Sequence, residues 1–454
     1  MSNDKTPVLF RGLGGLLAAA LAVAGSPAGP AVADEAPAVE RVARALVDEA
    51  LAANLGLDQA ESNVEERLAV LDQARAEYLP QVDLQLRFSE ADGGRTIEVP
   101  SLGIDFRFLR EREQESFVRL SQPIYDPRRA AEKRGAGYAW DASRHGLEAY
   151  RLRLSRDVRQ AYYRWLAARE SIGVLEATAG LAKENERVND SLYRNGKVTK
   201  DLRLSAEAEH LEITQQLLRA RAAEDLARRY LNLLCNAPLE REPEAPPVTD
   251  ADLPRMARRV PVARGVALEE RAVGRRAELR ELDSGIAAAG ESERAARAAF
   301  KPQLAFAVDA GSQGEEWDYS VEESYVLASV ILRFNLFNGG GDRAAVREAR
   351  ARSAGLTAGR QLAEQQIRIE VQEAITDLEV AEASLETASR RIEAADAAYA
   401  IVAKKRDLGQ VSSAEYLDAQ RALTQARLNG NVTRFQALGA LAQVEYAIGG
   451  MEQP

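Results

Sequence analysis

The sequence predicts an α+β fold written twice, with four short amphipathic strands set beside helices too long for a globular core. The first observation behind this is an internal repeat. Arg75-Ala76-Glu77-Tyr78-Leu79-Pro80-Gln81-Val82 returns as Arg297-Ala298-Ala299-Phe300-Lys301-Pro302-Gln303-Leu304. Leu120 to Tyr125 returns in outline as Leu332 to Phe337, and Asn195-Gly196-Lys197-Val198-Thr199 as Leu408-Gly409-Gln410-Val411-Ser412. The spacing of roughly 210–220 residues is far longer than a solenoid repeat, so each half carries a whole structural unit. The second observation is a change of period. Val82, Leu84, Leu86 and Phe88 alternate with polar residues, whereas the segments around them follow a helical pattern. The third is composition: Ala, Glu, Arg and Leu dominate, which reads as long helix or coiled coil.

The chain starts with the pattern of an export signal at 1–33. Lys5 and Arg11 give a positive start, Leu13 to Gly25 is small and apolar, and Ala31-Val32-Ala33 makes a cleavage site. The apolar run is too short to span a bilayer. The net charge is −10, with 60 basic and 70 acidic residues well mixed, and no basic block marks nucleic acid as a partner. With Cys235 alone, no internal disulfide forms, and its place at the end of a helical pattern predicts a small buried residue.

The first repeat, 34–250, opens with short helices over 39–54 and 57–78, ended by Pro80. A strand follows at about 82–90, and a second at about 115–124, where Val118 and Leu120 alternate with Arg119 and Ser121. The loop between them holds Gly93-Gly94 and Pro100, with Ile104, Phe106 and Phe108 as a further hint of strand. From 128 to 194 nothing breaks a helix, and some 66 residues at 1.5 Å each span roughly 100 Å. Gly196 turns it, a helix returns over 200–234, and a linker follows with Pro238, Pro243, Pro246 and Pro247. The second repeat, 251–454, gives a helix at 267–300 with a break near Gly274. Strands follow at about 303–311 and 324–335, then helices at 342–406 and 413–447. Trp140 and Trp165 read as packing residues of the long helix, and Tyr125 and Phe337 as packing between strands and helices. An open four-stranded edge invites pairing with other chains. Three copies would pool twelve strands, an even number that closes, each about long enough for a membrane barrel.

The residues at these corners carry a likeness. Tyr78-Leu79-Pro80-Gln81 and Ala299-Phe300-Lys301-Pro302-Gln303 precede the first and third strands. Gln122-Pro123-Ile124-Tyr125-Asp126 and Asn335-Leu336-Phe337-Asn338-Gly339-Gly340 open the two long helices. Leu408-Gly409-Gln410-Val411-Ser412 precedes Tyr416-Leu417-Asp418-Ala419-Gln420 at a turn. In order, duplicated and behind an export signal, these resemble the TolC-like outer-membrane efflux proteins over nearly the whole mature length. The resemblance implies a homotrimer with a twelve-stranded β-barrel in outer-membrane lipid and a helical coiled-coil tunnel across the periplasm. It implies docking onto a periplasmic adaptor (a membrane fusion protein) and an inner-membrane transporter, as the passive duct of a tripartite efflux or type I secretion system.

The resemblance also points to sites. Glu415 and Asp418, at i and i+3 past the second tip turn, match acidic positions that ring the family's narrow entrance. A ring of carboxylates attracts cations, while an ordinary solvated helix face reads the same in sequence. The two tips are the adaptor-docking candidates: Gly196, Lys197, Val198 and Thr199, and Gly409, Gln410, Val411 and Ser412. The glycines are what any helix end uses, but the valines beside them read as exposed. Arg406 and Asp407 sit where the family locks its closed entrance, yet the family's tyrosine and arginine lock has no match here. No enzyme motif is present: His145 and His210 lack metal-ligand partners, and no phosphate loop or nucleophile motif appears, so no catalytic residue, cofactor or metal is expected. The rival class is a periplasmic coiled-coil scaffold without a pore.

Overall fold

A computed structural model describes residues 36–92, 96–99, 104–107, 112–249, 252, 256, 266–317 and 319–450. The expected export signal, Gly93-Gly94, Pro100 and Phe108 lie outside the described residues. In chain order the elements are α1 (Ala38–Ala53), α2 (Leu55–Ala76), β1 (Gln81–Glu90), β2 (Thr96–Val99), β3 (Ile104–Arg107) and β4 (Arg112–Tyr125). Then come α3 (Pro127–Arg194), α4 (Lys200–Leu234), α5 (Val266–Arg275) and α6 (Ala277–Arg297). The last four are β5 (Gln303–Gly314), β6 (Ser324–Arg333), α7 (Gly341–Asp407) and α8 (Ser413–Ala447). β2 and β3 form a separate antiparallel pair in the first hairpin loop.

The main sheet is antiparallel in the order β1-β4-β5-β6, so the β4–β5 pair joins the two halves. Its register places like with like. Val82, Leu120, Val308 and Ala328 share one row, and Leu84, Val118, Ala310 and Val326 the next. The opposite face carries the row Asp83, Arg119, Asp309 and Leu327. There Arg119 donates from Nε and Nη2 to the two oxygens of Asp309, at 2.7 and 2.8 Å. On the apolar face Val82, Leu84, Val326 and Val330 are 65% to 77% exposed. Among the described residues, the outer edges of β1 and β6 have no partner strand. A bare apolar face and two open edges leave the sheet unfinished among the described residues of this chain.

Each long helix starts at a fixed corner. Asp126 caps α3, accepting from the Arg128 and Arg129 amides at 3.0 and 3.2 Å, with Pro127 at the first position. Gly340, at φ 86, turns the chain into α7, where Asn335 and Asn338 both donate to Asp342, at 2.6 and 3.2 Å. α3 and α7 run for 68 and 67 residues. At 1.5 Å per residue each is a rod of about 100 Å. Among the described residues no helix is long and apolar enough to cross a membrane.

The shorter helices meet end to end at two joints. At the first, Asn54 caps α2 by accepting from the Leu57 amide at 3.0 Å, and its Nδ2 donates to the Leu234 carbonyl, the last of α4, at 2.8 Å. At the second, Arg276 stands before α6 and donates to the Ala447 carbonyl, the last of α8, at 3.3 Å. The break expected near Gly274 therefore falls at Arg276, whose extended backbone (ψ 119) separates α5 from α6. Gly274 stays helical because the break is set by the distant carbonyl, not by local propensity.

The core lies where α1 and the linker after α4 wrap the middle of α3 and the C-terminal part of α8. Val39, Leu46, Val158, Tyr162, Trp165, Leu231 and Leu441 are buried there. Trp165 donates to Glu224 at 2.6 Å. Cys235 is buried in the same core, and burial pushes its thiol up to about 11. Tyr125 and Phe337, expected in packing, are instead exposed, Phe337 at 85%.

Candidate gate and docking tips

Both tips end their long helix in the same way. Gly196 and Gly409 take positive φ, 66 and 69, a backbone state that costs a side chain but not glycine. Lys197 donates to the Leu192 carbonyl and Gln410 to the Lys405 carbonyl, each at 2.9 Å, closing a Schellman motif at both ends. Val198 and Val411 are half-buried rather than exposed, while Gly196, Lys197, Thr199, Gly409, Gln410 and Ser412 are exposed.

The returning helices start differently. Ser412 and Glu415 form a capping box: the Glu415 amide donates to Ser412 Oγ at 3.2 Å, and the Ser412 amide to Glu415 Oε2 at 3.0 Å. Thr199 makes no such bond to α4. The first expected gate carboxylate thus has a local task. Asp418, one turn on, is 77% exposed at its side chain, with Arg421 Nη1 at 3.9 Å. Arg421 is engaged mainly by buried Glu209 of α4, through Nε at 2.8 Å and through Nη2.

Sequence reasoning missed a tether behind this tip. The Arg406 guanidinium lies 3.9 Å above the Tyr416 ring and donates to Asn185 Oδ1 on α3 at 2.5 Å. Asn185 is buried, and Asn189 donates to it at 3.0 Å. The hydroxyls of Tyr399 and Tyr416 are 3.0 Å apart, and burial, with that hydrogen bond, pushes the Tyr399 phenol up to about 12. So Arg406 ties the second hairpin to the first. The only sequence signal was its position before the turn.

The tether continues as a polar seam between α3 and α8. Thr178 meets Thr424 at 3.2 Å, Asn431 donates to Ser171 at 2.9 Å, and Gln160 donates to Gln443 at 3.2 Å. Arg159 pairs with Glu445 at its upper end. Among the described residues no cluster suited to a metal ion occurs.

A sheet bare on one face, two rods and two matched tips fit a tube across a membrane. The outer membrane efflux protein family model matches residues 46–237 and 268–450. The chain belongs to that family. Its place is therefore the outer membrane. The alkaline protease secretion protein AprF of Pseudomonas aeruginosa is 26% identical over 252 residues, covering 53% of this chain and 50% of AprF. The alignment thus spans about half of that relative. Among solved structures, the Campylobacter jejuni CmeC outer membrane channel aligns at 20% identity and TM-score 0.80, over 90% of this chain and 86% of CmeC. The open state of the Neisseria gonorrhoeae MtrE channel aligns at 20% and 0.73, over 90% and 89%. At that identity the structures speak for the fold: a four-stranded sheet continuing into long paired helices.

Proposed function

We propose that three copies of this chain close a twelve-stranded barrel in outer-membrane lipid and a helical tunnel below it. The duct passively exports what an inner-membrane transporter delivers through a periplasmic adaptor. The observation that carries this is the sheet, with an apolar exposed face, an opposite face that mixes polar and apolar residues, and two open edges beside rods of about 100 Å. A pore-free scaffold has no use for that sheet. Residues 1–33 act as the export signal, and 34–250 and 251–454 as the two repeats.

The adaptor docks on Gly196, Lys197, Val198 and Thr199 and on Gly409, Gln410, Val411 and Ser412. The shared Schellman geometry gives it two similar knobs per chain. Glu415 and Asp418 form the cation-attracting ring at the entrance, and the Arg406–Asn185 bond holds that entrance narrow. The test is single-channel recording in planar bilayers. Glu415→Gln with Asp418→Asn removes the charge while glutamine keeps the capping box. Cation preference should fall at unchanged protein fold. Unchanged selectivity removes the ring, and a protein that makes no conducting pore removes the duct.

A further inference from the structure

A cavity of about 810 Å³ lies where the sheet meets the helices, among the first turns of α3 and α7 and the last turns of α6. That volume suits a small organic molecule. Its floor is Ala136, Ala139, Ala288, Ala295, Ala296 and Ala299, all half-buried, so open space stands above them where a packed neighbour would bury them. Gln303 and Arg333 bound its sheet end and pair across β5 and β6, six residues from the Asp309–Leu327 row. Side chains alternate across a strand, so an even count puts both on the face opposite Val308 and Val330. Under the three-copy reading that face looks into the lumen, and each chain sets one cavity in the lumen wall.

The lining is cationic. Arg128, Lys301 and Arg333 face it together with the carboxylates of Glu132 and Asp342, three positive charges against two negative. Both carboxylates are engaged: Arg128 donates to Glu132 at 2.8 Å, and Asn335 and Asn338 donate to Asp342 at 2.6 and 3.2 Å. Among the described residues Lys301 and Arg333 have no carboxylate partner. The sequence also departs from its repeat here. At the offset of 222, Ala288, Ala295 and Ala299 stand where α2 has Glu66, Gln73 and Glu77, and Lys301 where the first half has Leu79. The second half has shortened three side chains and gained a cation. Close packing of α6 does not account for this, since the shortened residues stay half-buried.

We infer that this cavity binds small amphipathic organic anions as they pass through the duct. The alanine floor takes an apolar ring system, and Lys301 and Arg333 take a sulfonate or carboxylate head. This rests on the three-copy reading above, which turns the cavity toward the lumen. Two exposed ion pairs alone hold an anion weakly, so the apolar body is what separates a bound ligand from any passing anion. The floor in turn needs the head, because the cations fix which end of the molecule enters.

Block of the single-channel current tests this on the full chain. The probe is naphthalenesulfonate, with sulfate as the head without the body and naphthalenesulfonamide as the body without the charge. Naphthalenesulfonate should block at concentrations where the other two do not. Lys301→Gln with Arg333→Gln should raise its half-blocking concentration about tenfold, the worth of two exposed ion pairs. Ala295→Gln, which writes the residue of α2 back into the floor, should also raise it with both cations in place. Equal block by sulfate or by the sulfonamide overturns the site and leaves the duct standing. So does a conducting pore that naphthalenesulfonate does not block, or a block that neither variant weakens. A protein that makes no pore overturns the duct reading and the lumenal site with it.

Discussion

The two end-to-end joints occupy equivalent positions and use opposite chemistry. The offset of 222 residues that relates Arg75 to Arg297 also relates Asn54 to Arg276. Each of these residues interrupts a helix with extended backbone and donates to the last carbonyl of a helix from later in its half. Asn54 does this with a neutral amide, and its remaining oxygen caps α2 and accepts from Tyr150 at 3.2 Å. Arg276 does it with a charge buried to 4% exposure. That charge needs a shell: Glu278 at 3.0 and 3.1 Å, Glu370 at 2.9 Å, Tyr446 Oη at 3.1 Å and the Tyr446 ring at 4.4 Å. The repeat therefore fixes where a joint is, while the residue chosen decides how many elements it binds. Asn54 links α2 to α4, with a touch to α3; Arg276 holds α6, α7 and α8 together.

The comparison is broken most directly at Arg276. Arg276→Met leaves Glu278 and Glu370 partly buried without their cation, and breaking such a set costs about 3–5 kcal/mol. Asn54→Ala removes a cap and one further hydrogen bond, for about 1–2 kcal/mol. Urea unfolding followed by helical circular dichroism in detergent should show this order. Equal losses would mean that the shell around Arg276 adds nothing beyond a cap.

Acid should separate the joints as well. Burial alone raises the Glu278 carboxyl, but the Arg276 hydrogen bonds and charge outweigh it and hold the group below its ordinary 4.5. A lowered carboxylate contributes stability above its unfolded value and loses it as pH falls through the folded one. Glu281 runs the other way: burial, then the nearby Glu278 charge, raise it, so total stability mixes both. The clean reading is the difference between wild type and Glu278→Gln. It should be full at neutral pH and shrink once the pH drops below about 4.5. Asn54→Ala should cost the same at either pH. A pH-independent difference for Glu278→Gln would detach that carboxylate from the joint.

How much of this was legible follows from reach along the chain. Pro80 and Pro302 stop helices locally, and the strands that follow begin at Gln81 and Gln303 as the alternation indicates. Tip turns are equally local, so Gly196 and Gly409 were readable. β4 begins at Arg112, earlier than its own alternation suggests, because Ser89 and Glu90 extend the ladder from β1. The capping box was also written in the sequence as Ser412-x-x-Glu415, although the carboxylate first drew attention as a ring member. Arg276, with Ala447 171 residues away, and Arg406, with Asn185 221 residues away, act through contacts that no local pattern encodes. The same holds for Tyr125 and Phe337, whose exposure depends on what the sheet leaves open.

The smallest effect tests the tips in the same spirit. At an offset of 213, Tyr193 corresponds to Arg406 and Arg203 to Tyr416. In the first hairpin Arg203 lies 5.8 Å from the Tyr193 ring centre, and in the second Arg406 lies 3.9 Å from that of Tyr416. The brace is the same and its two partners have changed places. Exposed cation–π pairs contribute about 0.5–1 kcal/mol. Tyr193→Arg and Arg203→Tyr singly should each loosen the first tip by about that much, and the double exchange should restore most of it. Arg406→Tyr with Tyr416→Arg should not recover, because it also loses the bond to Asn185 and the Tyr399–Tyr416 hydroxyl contact. Amide exchange at Gly196–Lys197 and Gly409–Gln410 reads both tips in one experiment. Recovery in both would make each brace a local device, with no role for Arg406 in tying the hairpins together. Recovery in the first alone would show that the second hairpin has turned a shared brace into a tether.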